Sequence, residues 1–382
     1  MGKRPPGGVT TKDTQRRIEW LAEKTGTHLS DLVLDEPENL KGIIENHVGY
    51  VGIPMAVAGP LLIDGSYANG EFYLPLCTLE GTLVISMTRG FYLTSLCGGI
   101  KTRHLKQEMS RSPAFMFDDI AHSVQFAQWV EAHFEQIKTA AESTTRHGKL
   151  LRIDKYPVHS SVILDFVYST AEACGQNMTT FATEKACHYI IDHFPGDASR
   201  YLIECNFNGD KNPALKTVIH GRGHSVTAST LIQKKPLKRL MRVDAESCVQ
   251  GFHQMVTGSQ MAGVVGMNKH VANALAAIYL ATGQDVACVA ENAVGLMQYE
   301  ERNDGDLYAT LTMPSLSVGT VGGGTRLKRQ RQNLELLGCT GEHSSKKLAE
   351  IVCAAALALE LSLAGAITSN EFAKSHAIYG RK

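Results

Sequence analysis

Residues 113–132, P-A-F-M-F-D-D-I-A-H-S-V-Q-F-A-Q-W-V-E-A, residues 149–168, K-L-L-R-I-D-K-Y-P-V-H-S-S-V-I-L-D-F-V-Y, and residues 199–206, S-R-Y-L-I-E-C-N, decide the fold. The first run predicts a short strand at 113–117, then a helix capped by Asp118 or Asp119 that continues to residue 141. The second predicts two strands, 149–158 and 160–168, the latter alternating through Val162, Leu164 and Phe166. A helix follows over 176–193, with Ala182, Ala186, Tyr189 and Ile190 at helical spacing, and 199–206 is a fourth strand. The order β-α-β-β-α-β is that of the ferredoxin-like split βαβ unit, a compact domain of about 90 residues. The fold class is therefore α+β.

Outward from this unit the pattern changes. Residues 45–65 are apolar but punctuated by Gly and Pro, which predicts short strands and turns. Thr11 or Asp13 caps an opening helix that Gly26 stops. Beyond residue 231 helices dominate, at 243–261, 268–281 and 346–366, with a strand at 307–313. The expected organisation is a large, mainly helical domain, 1–111 and 204–382, interrupted by the smaller one at 112–203.

Lys plus Arg and Asp plus Glu both number 38, so the chain has no net field to attract nucleic acid or an anionic bilayer. Nine cysteines without a C-x-x-C pair argue against a zinc site or a disulfide framework, and no metal is expected. The run M-G-K-R-P-P-G-G lacks a following apolar segment, so no signal peptide is expected. Residues 351–367 form the nearest approach to a membrane span, but they are short and carry Glu360, which favours a buried core helix. These features point to a cytoplasmic location.

Five places hold groups suited to chemistry. Gly319, Gly322, Gly323 and Gly324 lie between a strand and a helix expected to start near Thr325, an arrangement that can cradle an anion. Neither the Rossmann spacing nor the P-loop lysine is present. Lys211 sits in a turn between Gly209 and Pro213, where a stiff backbone suits an electrophile, although loop lysines commonly only face solvent. Glu80, in T-L-E-G-T, is a carboxylate among apolar residues, a setting that raises a carboxyl pKa. Asp285 follows Gly283 at the end of an apolar helix, and His376 lies near the end of the sequence. Spacing alone does not show that these groups meet.

Six segments, in order, resemble the hydroxymethylglutaryl-CoA reductase family. They are E-N-H-V-G-Y-V-G-I-P-M-A-V-A-G-P-L (45–61), T-L-E-G-T-L-V-I-S-M-T-R-G (78–90), D-K-N-P (210–213) with H-G-R-G-H-S (220–225), A-I-Y-L-A-T-G-Q-D (277–285), T-M-P-S-L-S-V-G-T-V-G-G-G-T (312–325) and K-S-H (374–376). Order and intervals are similar to the catalytic portion of the class I enzymes, over roughly residues 40–381. The resemblance implies an NADPH-dependent four-electron reduction of an acyl-CoA thioester, by default hydroxymethylglutaryl-CoA to mevalonate. It implies Glu80, Lys211, Asp285 and His376 as catalytic residues, with His376 protonating the departing thiolate. It places cofactor contacts on Thr145 and Arg146 (the pair that reads the 2′-phosphate), on Glu172, Gly175, Gln176, Asn177 and Met178, and on Gly322, Gly323 and Gly324. Substrate contacts fall on Ser86, Arg89, Arg111, Glu204, Asn212, His253, His270 and Asn273. The basic run Lys234, Lys235, Lys238, Arg239 and Arg242 suits CoA phosphates or, equally, a solvated charged face. It also implies an even-numbered homo-oligomer, at least a dimer, in which each site draws residues from two chains.

The departures fall where the acyl group binds. The family's second lysine is Asn212, its serine is Glu204, and a later lysine becomes His253, while Arg111 is retained. The loop V-A-C-V-A-E-N-A after Asp285 lacks the family's N-V-G-S-S pattern. A paralogue reducing a different acyl thioester, bound to CoA or to a carrier protein, is the alternative. A non-catalytic binding protein is disfavoured, because all four catalytic positions remain.

Overall fold

Thr10 opens the first helix, α1 (Thr11–Thr25), in place of the expected Thr11 or Asp13: its hydroxyl accepts from Asp13 N at 3.2 Å while Asp13 accepts from Thr10 N at 3.1 Å. The structure, a computed structural model, describes residue 6, residues 10–25, residue 40, residues 42–303 and residues 305–369. Strands β1 (Met55–Asp64) and β2 (Asn69–Cys77) form an antiparallel hairpin, registered from Met55 opposite Cys77 to Asp64 opposite Asn69. Helix α2 (Leu83–Leu96) leads into β3 (Ile100–Arg111), a long strand that serves two sheets' worth of partners. Its first part pairs with β1 and a later strand, and its last three residues, Met109 to Arg111, pair with the smaller unit.

That smaller unit follows in chain order as β4 (Ala114–Met116), α3 (Ile120–Ala132), α4 (Phe134–Glu142), β5 (Lys149–Val158), β6 (Ser161–Ser169), α5 (Gln176–His193) and β7 (Tyr201–Leu202). The strands lie in the order β7-β4-β6-β5, all neighbours antiparallel, so β6 splits the pair β4 and β5. This is the split βαβ arrangement. Phe115, Phe126, Val162, Leu164, Phe166 and Ile190 are buried in its own core. Two details differ from expectation. The long helix breaks at His133, whose ring bonds to Trp129 O at 2.8 Å, and the fourth strand shrinks to two residues. Past Leu202, side chains of Glu204, Asn206 and Asn208 capture nearby donors and curl the chain into a loop.

The remainder runs α6 (Leu215–His220), β8 (Gly223–Ile232), α7 (Lys234–Met241), α8 (Ala245–Ala262), α9 (Val271–Thr282), α10 (Val289–Asn292), β9 (Leu296–Arg302), β10 (Asp306–Leu316), α11 (Lys328–Leu336) and α12 (Ser344–Thr368). The larger part has more helix than strand, but it also contains more strands than expected. Strands β3, β8, β10 and β9 lie side by side, β1 adds to β3 in parallel, and β2 forms the outer edge. Strand β10 contains the run expected at 307–313, whereas β8 was hard to see because its alternation is mixed with buried polar residues such as His224 and Thr230.

Helix α12 is the organising element. It is long and apolar enough to cross a bilayer, yet it is packed inside the fold against β8, β10, α2 and α9. A Cβ on Gly90 would stand 2.1 Å from Ala358 O, so α2 and α12 touch backbone to backbone and only glycine fits. Its two buried carboxylates are satisfied. Glu350 accepts from the N–H groups of Ser66, Tyr67, Ala68 and His104 at 2.8–3.0 Å. Glu360 accepts from Lys269 N and His270 N, capping the approach to α9.

Candidate active site

Lys211 stands on the loop that follows β7, with a left-handed backbone (φ 57°) that costs a non-glycine residue about 1–3 kcal/mol. Its Nζ lies 3.0 Å from Asp285 Oδ2, at the far end of α9. The hydrogen bond that Lys211 donates to Asp285, and the charge of that carboxylate, hold the lysine pKa above the ordinary value against partial burial, so the cation is secured. Asp285 also accepts from Ala287 N at 3.0 Å, which aims its other oxygen at the lysine. Behind the loop, fully buried Arg222 reaches Asp210 Oδ1 at 3.0 Å, Glu291 Oε1 at 3.7 Å and Ser110 O at 2.9 Å. One guanidinium thus ties the residue before Lys211 to β3 and to the helix after Asp285. Burial pushes the Glu291 carboxyl up to about 7, against the Arg222 charge.

Glu80 lies in the turn between β2 and α2. It accepts from Asn273 Nδ2 at 2.5 Å, and Asn273 sits in the first turn of α9 that Glu360 anchors. The apolar surroundings expected for Glu80 are not provided by the chain itself, since its side chain is exposed. Helix α9 has 12 residues, about 18 Å at 1.5 Å per residue. Glu80 is therefore pinned at one end of α9 and the Lys211–Asp285 pair at the other. Among the described residues no contact joins Glu80 to Lys211. His376 lies outside the described residues.

The expected cofactor segments converge. Gly319 packs its backbone on Glu172–Cys174, where a Cβ would stand 2.4 Å from Cys174 N, and Thr320 N donates to Glu172 O at 2.8 Å. This brings Gly322, Gly323 and Gly324 beside the start of α5, where Gly175 (φ 89°) turns the chain and Gln176, Asn177 and Met178 begin the helix. Around Gly322 and Gly323 there is open space. A short 3-10 turn, Gly323–Arg326, intervenes before α11, so that helix begins at Lys328 and not near Thr325. The loop with Thr145 and Arg146 is adjacent, since a Cβ on Gly148 would meet both Met178 and Thr145. Arg146 is exposed, and Thr145 Oγ1 accepts from Gly148 N at 3.0 Å, leaving its proton to donate. A helix N-terminus, a guanidinium and a hydroxyl fit a phosphorylated nucleotide.

Two of these residues do other work. The Glu172 carboxylate caps α12, accepting from His343 N and Ser345 N, both at 2.7 Å; burial acts to raise its pKa, but these bonds hold it below the ordinary value. The Gln176 amide donates to Cys288 Sγ at 2.9 Å, linking α5 to the turn after Asp285.

The expected substrate residues are more dispersed. Ser86 and Arg89, on α2, bond to Ser362 on α12. His270 and Asn273 begin α9, His253 is exposed on α8, and the exposed Asn212 amide donates to Asp210 O at 2.7 Å. Arg111 ends β3 with its Nη1 2.8 Å from Glu204 Oε2. Lys234, Lys235, Lys238 and Arg239 lie on α7. The nine cysteines are free, and no cluster of three metal-ligating side chains occurs among the described residues.

Sequence reasoning missed Arg222, Glu291 and Glu360. A charged residue inside H-G-R-G-H-S and another in L-A-L-E-L-S-L were visible as oddities, but their partners are 12 to 112 residues away along the chain. It also missed His104 and His224, whose rings bond at 2.9 Å.

The hydroxymethylglutaryl-coenzyme A reductase family model matches residues 13–381. The 3-hydroxy-3-methylglutaryl-coenzyme A reductase of Methanocaldococcus jannaschii is 39% identical over 376 residues, covering 96% of this chain and 93% of that protein. The enzyme of the same name from Aeropyrum pernix is 40% identical over 375 residues, covering 96% and 89%. Among solved structures, the class II 3-hydroxy-3-methylglutaryl-CoA reductase of Streptococcus pneumoniae bound to NADPH in open conformations superposes with a TM-score of 0.70. The match covers 86% of this chain and 88% of that one at 20% identity, a likeness of fold.

Proposed function

This chain belongs to the hydroxymethylglutaryl-coenzyme A reductase family, and from that premise we propose that it reduces an acyl-CoA thioester to an alcohol with NADPH. The reaction is hydroxymethylglutaryl-CoA to mevalonate. The observation that carries the reading is Lys211 Nζ, 3.0 Å from Asp285, on a left-handed turn, with Gly324 packed on Gly283 two residues before that aspartate.

NADPH supplies one hydride to each of two reductions, and the balance is one thioester, two NADPH and two protons giving alcohol, thiol and two NADP+. Thr145 and Arg146 would hold its 2′-phosphate, the first turn of α5 would hold its other phosphates, and Gly322 to Gly324 would let the backbone approach. Lys211 holds the carbonyl oxygen and stabilises the negative charge that develops there, a contribution typically worth about 3 kcal/mol. Asp285 keeps that ammonium charged and aimed. Glu80, oriented by Asn273, exchanges the proton at the same oxygen, and His376 protonates the CoA thiolate as the hemithioacetal collapses. The smaller unit, residues 112–203, is the nucleotide-binding domain, and the remainder carries CoA and the reacting lysine.

Glu80 and Lys211 meet between two copies of the chain. The length of α9 between them supports this, as does an exposed apolar set on and beside β1, β2 and α2 that includes Val51, Met55, Val57, Tyr73, Leu79 and Ile85. The location is cytoplasmic. Absorbance at 340 nm tests the activity. Two NADPH oxidised per CoA thiol released is the expected result; no oxidation with hydroxymethylglutaryl-CoA or with a related acyl-CoA refutes it.

A further inference from the structure

Glu291 lies on α10, in the segment that follows Asp285, and is fully buried. Arg222, also fully buried, stands between it and the lysine loop, with Nη2 3.0 Å from Asp210 Oδ1 and Nε 3.7 Å from Glu291 Oε1. The first contact holds the residue that precedes Lys211; the second is longer than a hydrogen bond. Nη1 donates to Ser110 O at 2.9 Å and anchors the guanidinium on β3. Among the described residues, Asp210 Oδ1, Arg222 Nε, Arg222 Nη2 and Glu291 Oε2 have no aligned hydrogen bond. Charge therefore holds this junction, and two carboxyls share one guanidinium.

Ionisation of Glu291 acts on the lysine in two ways of the same sign. A charged Glu291 draws Nε across the 3.7 Å gap, and because the guanidinium is a rigid plane this turns Nη2 away from Asp210. It also adds a buried negative charge behind Lys211, where the reaction develops negative charge on the carbonyl oxygen. The other titratable groups facing Glu291 do not offset that charge. Burial pushes up the thiols of Cys288 and Cys174 and the phenol of Tyr279, so they stay neutral, and Asp285 is committed to Lys211. Burial also holds the Glu291 carboxyl up at about 7, against the Arg222 charge, so both of its forms are populated near neutrality.

We propose that Glu291 is a positioning residue for the reduction: its neutral form leaves Arg222 to Asp210 and the lysine loop, and its ionisation weakens Lys211 as a holder of the developing oxyanion. This inference rests on the reductase reading for its reaction and deepens it.

The test follows kcat with NADPH and hydroxymethylglutaryl-CoA from pH 6 to pH 8 in native protein, Glu291→Gln and Glu291→Met. Both replacements are neutral at every pH, and Gln keeps the shape of the protonated carboxyl. A group near 7 is about 90% protonated at pH 6 and about 10% at pH 8. The ratio of variant to native kcat, in which titrations common to both proteins cancel, is expected to rise about tenfold over that interval in both variants. A ratio that stays flat or falls overturns the proposal; a merely structural Glu291 lowers the unfolding temperature and leaves the ratio flat. Carbon-13 NMR of labelled lysine gives a readout without turnover. The Lys211 Cε resonance, identified by its loss in Lys211→Ala, is expected to move between pH 6 and pH 8 in native protein and to hold still in Glu291→Gln. A resonance that holds still in native protein overturns the proposal whether or not the variants fold, and so does one that moves equally in Glu291→Gln. If Glu291→Gln stills the resonance but no acyl-CoA is reduced by the native protein, the reductase reading fails and the control of Lys211 by Glu291 stands.

Discussion

Lys211 suits the proposed chemistry because of what its neighbours do to it. Asp285 secures its charge, the left-handed backbone presents it, and Arg222 holds the preceding Asp210 from behind. Asn273 plays the corresponding part for Glu80 at 2.5 Å. Asn273→Ala frees that carboxylate, so kcat is expected to fall by about 10- to 100-fold while the KM for acyl-CoA moves less than about threefold. Steady-state kinetics separates the two; a change confined to KM contradicts the positioning role. Arg146 is exposed at the expected 2′-phosphate position, and charge-assisted bonds of this kind are worth about 1.5–3 kcal/mol. Arg146→Ala is therefore expected to reduce the preference for NADPH over NADH by about 10- to 100-fold, read as the ratio of Kd values. Equal use of both cofactors by the native protein contradicts it. These residues were legible because each lies in a local motif. Arg222 and Glu360 were not, because their meaning comes from partners contributed by distant segments, and no local spacing encodes those contacts.

At the scale of elements, local periodicity served well where one face is apolar. Helix α5 begins and ends where the spacing of Ala182, Ala186 and Ile190 places it. It failed where side chains compete with the backbone, as at His133 and in the loop from Glu204. It also undercounted strands in the larger part, since β8 buries the polar His224 and Ser225, one on each face. That strand and β3 share a histidine pair with a consequence for stability. His104 is lowered to about 4 by burial and by the Lys346 charge; His224 is lowered to about 3 by burial, by His104 and by Lys346. Unfolded histidines bind protons near pH 6.5, whereas these stay neutral in the fold until far lower pH. Their contribution is thus fully present above about pH 6.5 and lost as pH falls toward 4 and then 3. Denaturant unfolding is expected to show stability declining from pH 6.5 to 4.5, with a shallower slope in His104→Asn/His224→Gln. Parallel slopes in the two proteins contradict the assignment.

For the whole molecule, the fold divides the proposed reacting groups between the two ends of α9. The larger part buries α12 so completely that its most apolar helix becomes the beam on which α2, α9 and the nucleotide-side turn at Glu172 are mounted. What the fold does not bury is the apolar set on β1, β2 and α2, beside Glu80. The proposed arrangement, a symmetric pair of chains in which Glu80 of one approaches Lys211 of its partner, accounts for both. Mixing two inactive variants tests it most directly. Glu80→Gln and Lys211→Ala, each inactive alone, are mixed in equal amounts, allowed to exchange subunits, and assayed for NADPH oxidation, with native mass spectrometry to confirm mixed dimers. In a mixed dimer one site regains both groups and the other has neither. Half of the dimers are mixed, so activity is expected to recover to about a quarter of the native value. If mixed dimers form and activity stays at the level of the parents, each chain builds its site alone and the two-chain arrangement is wrong.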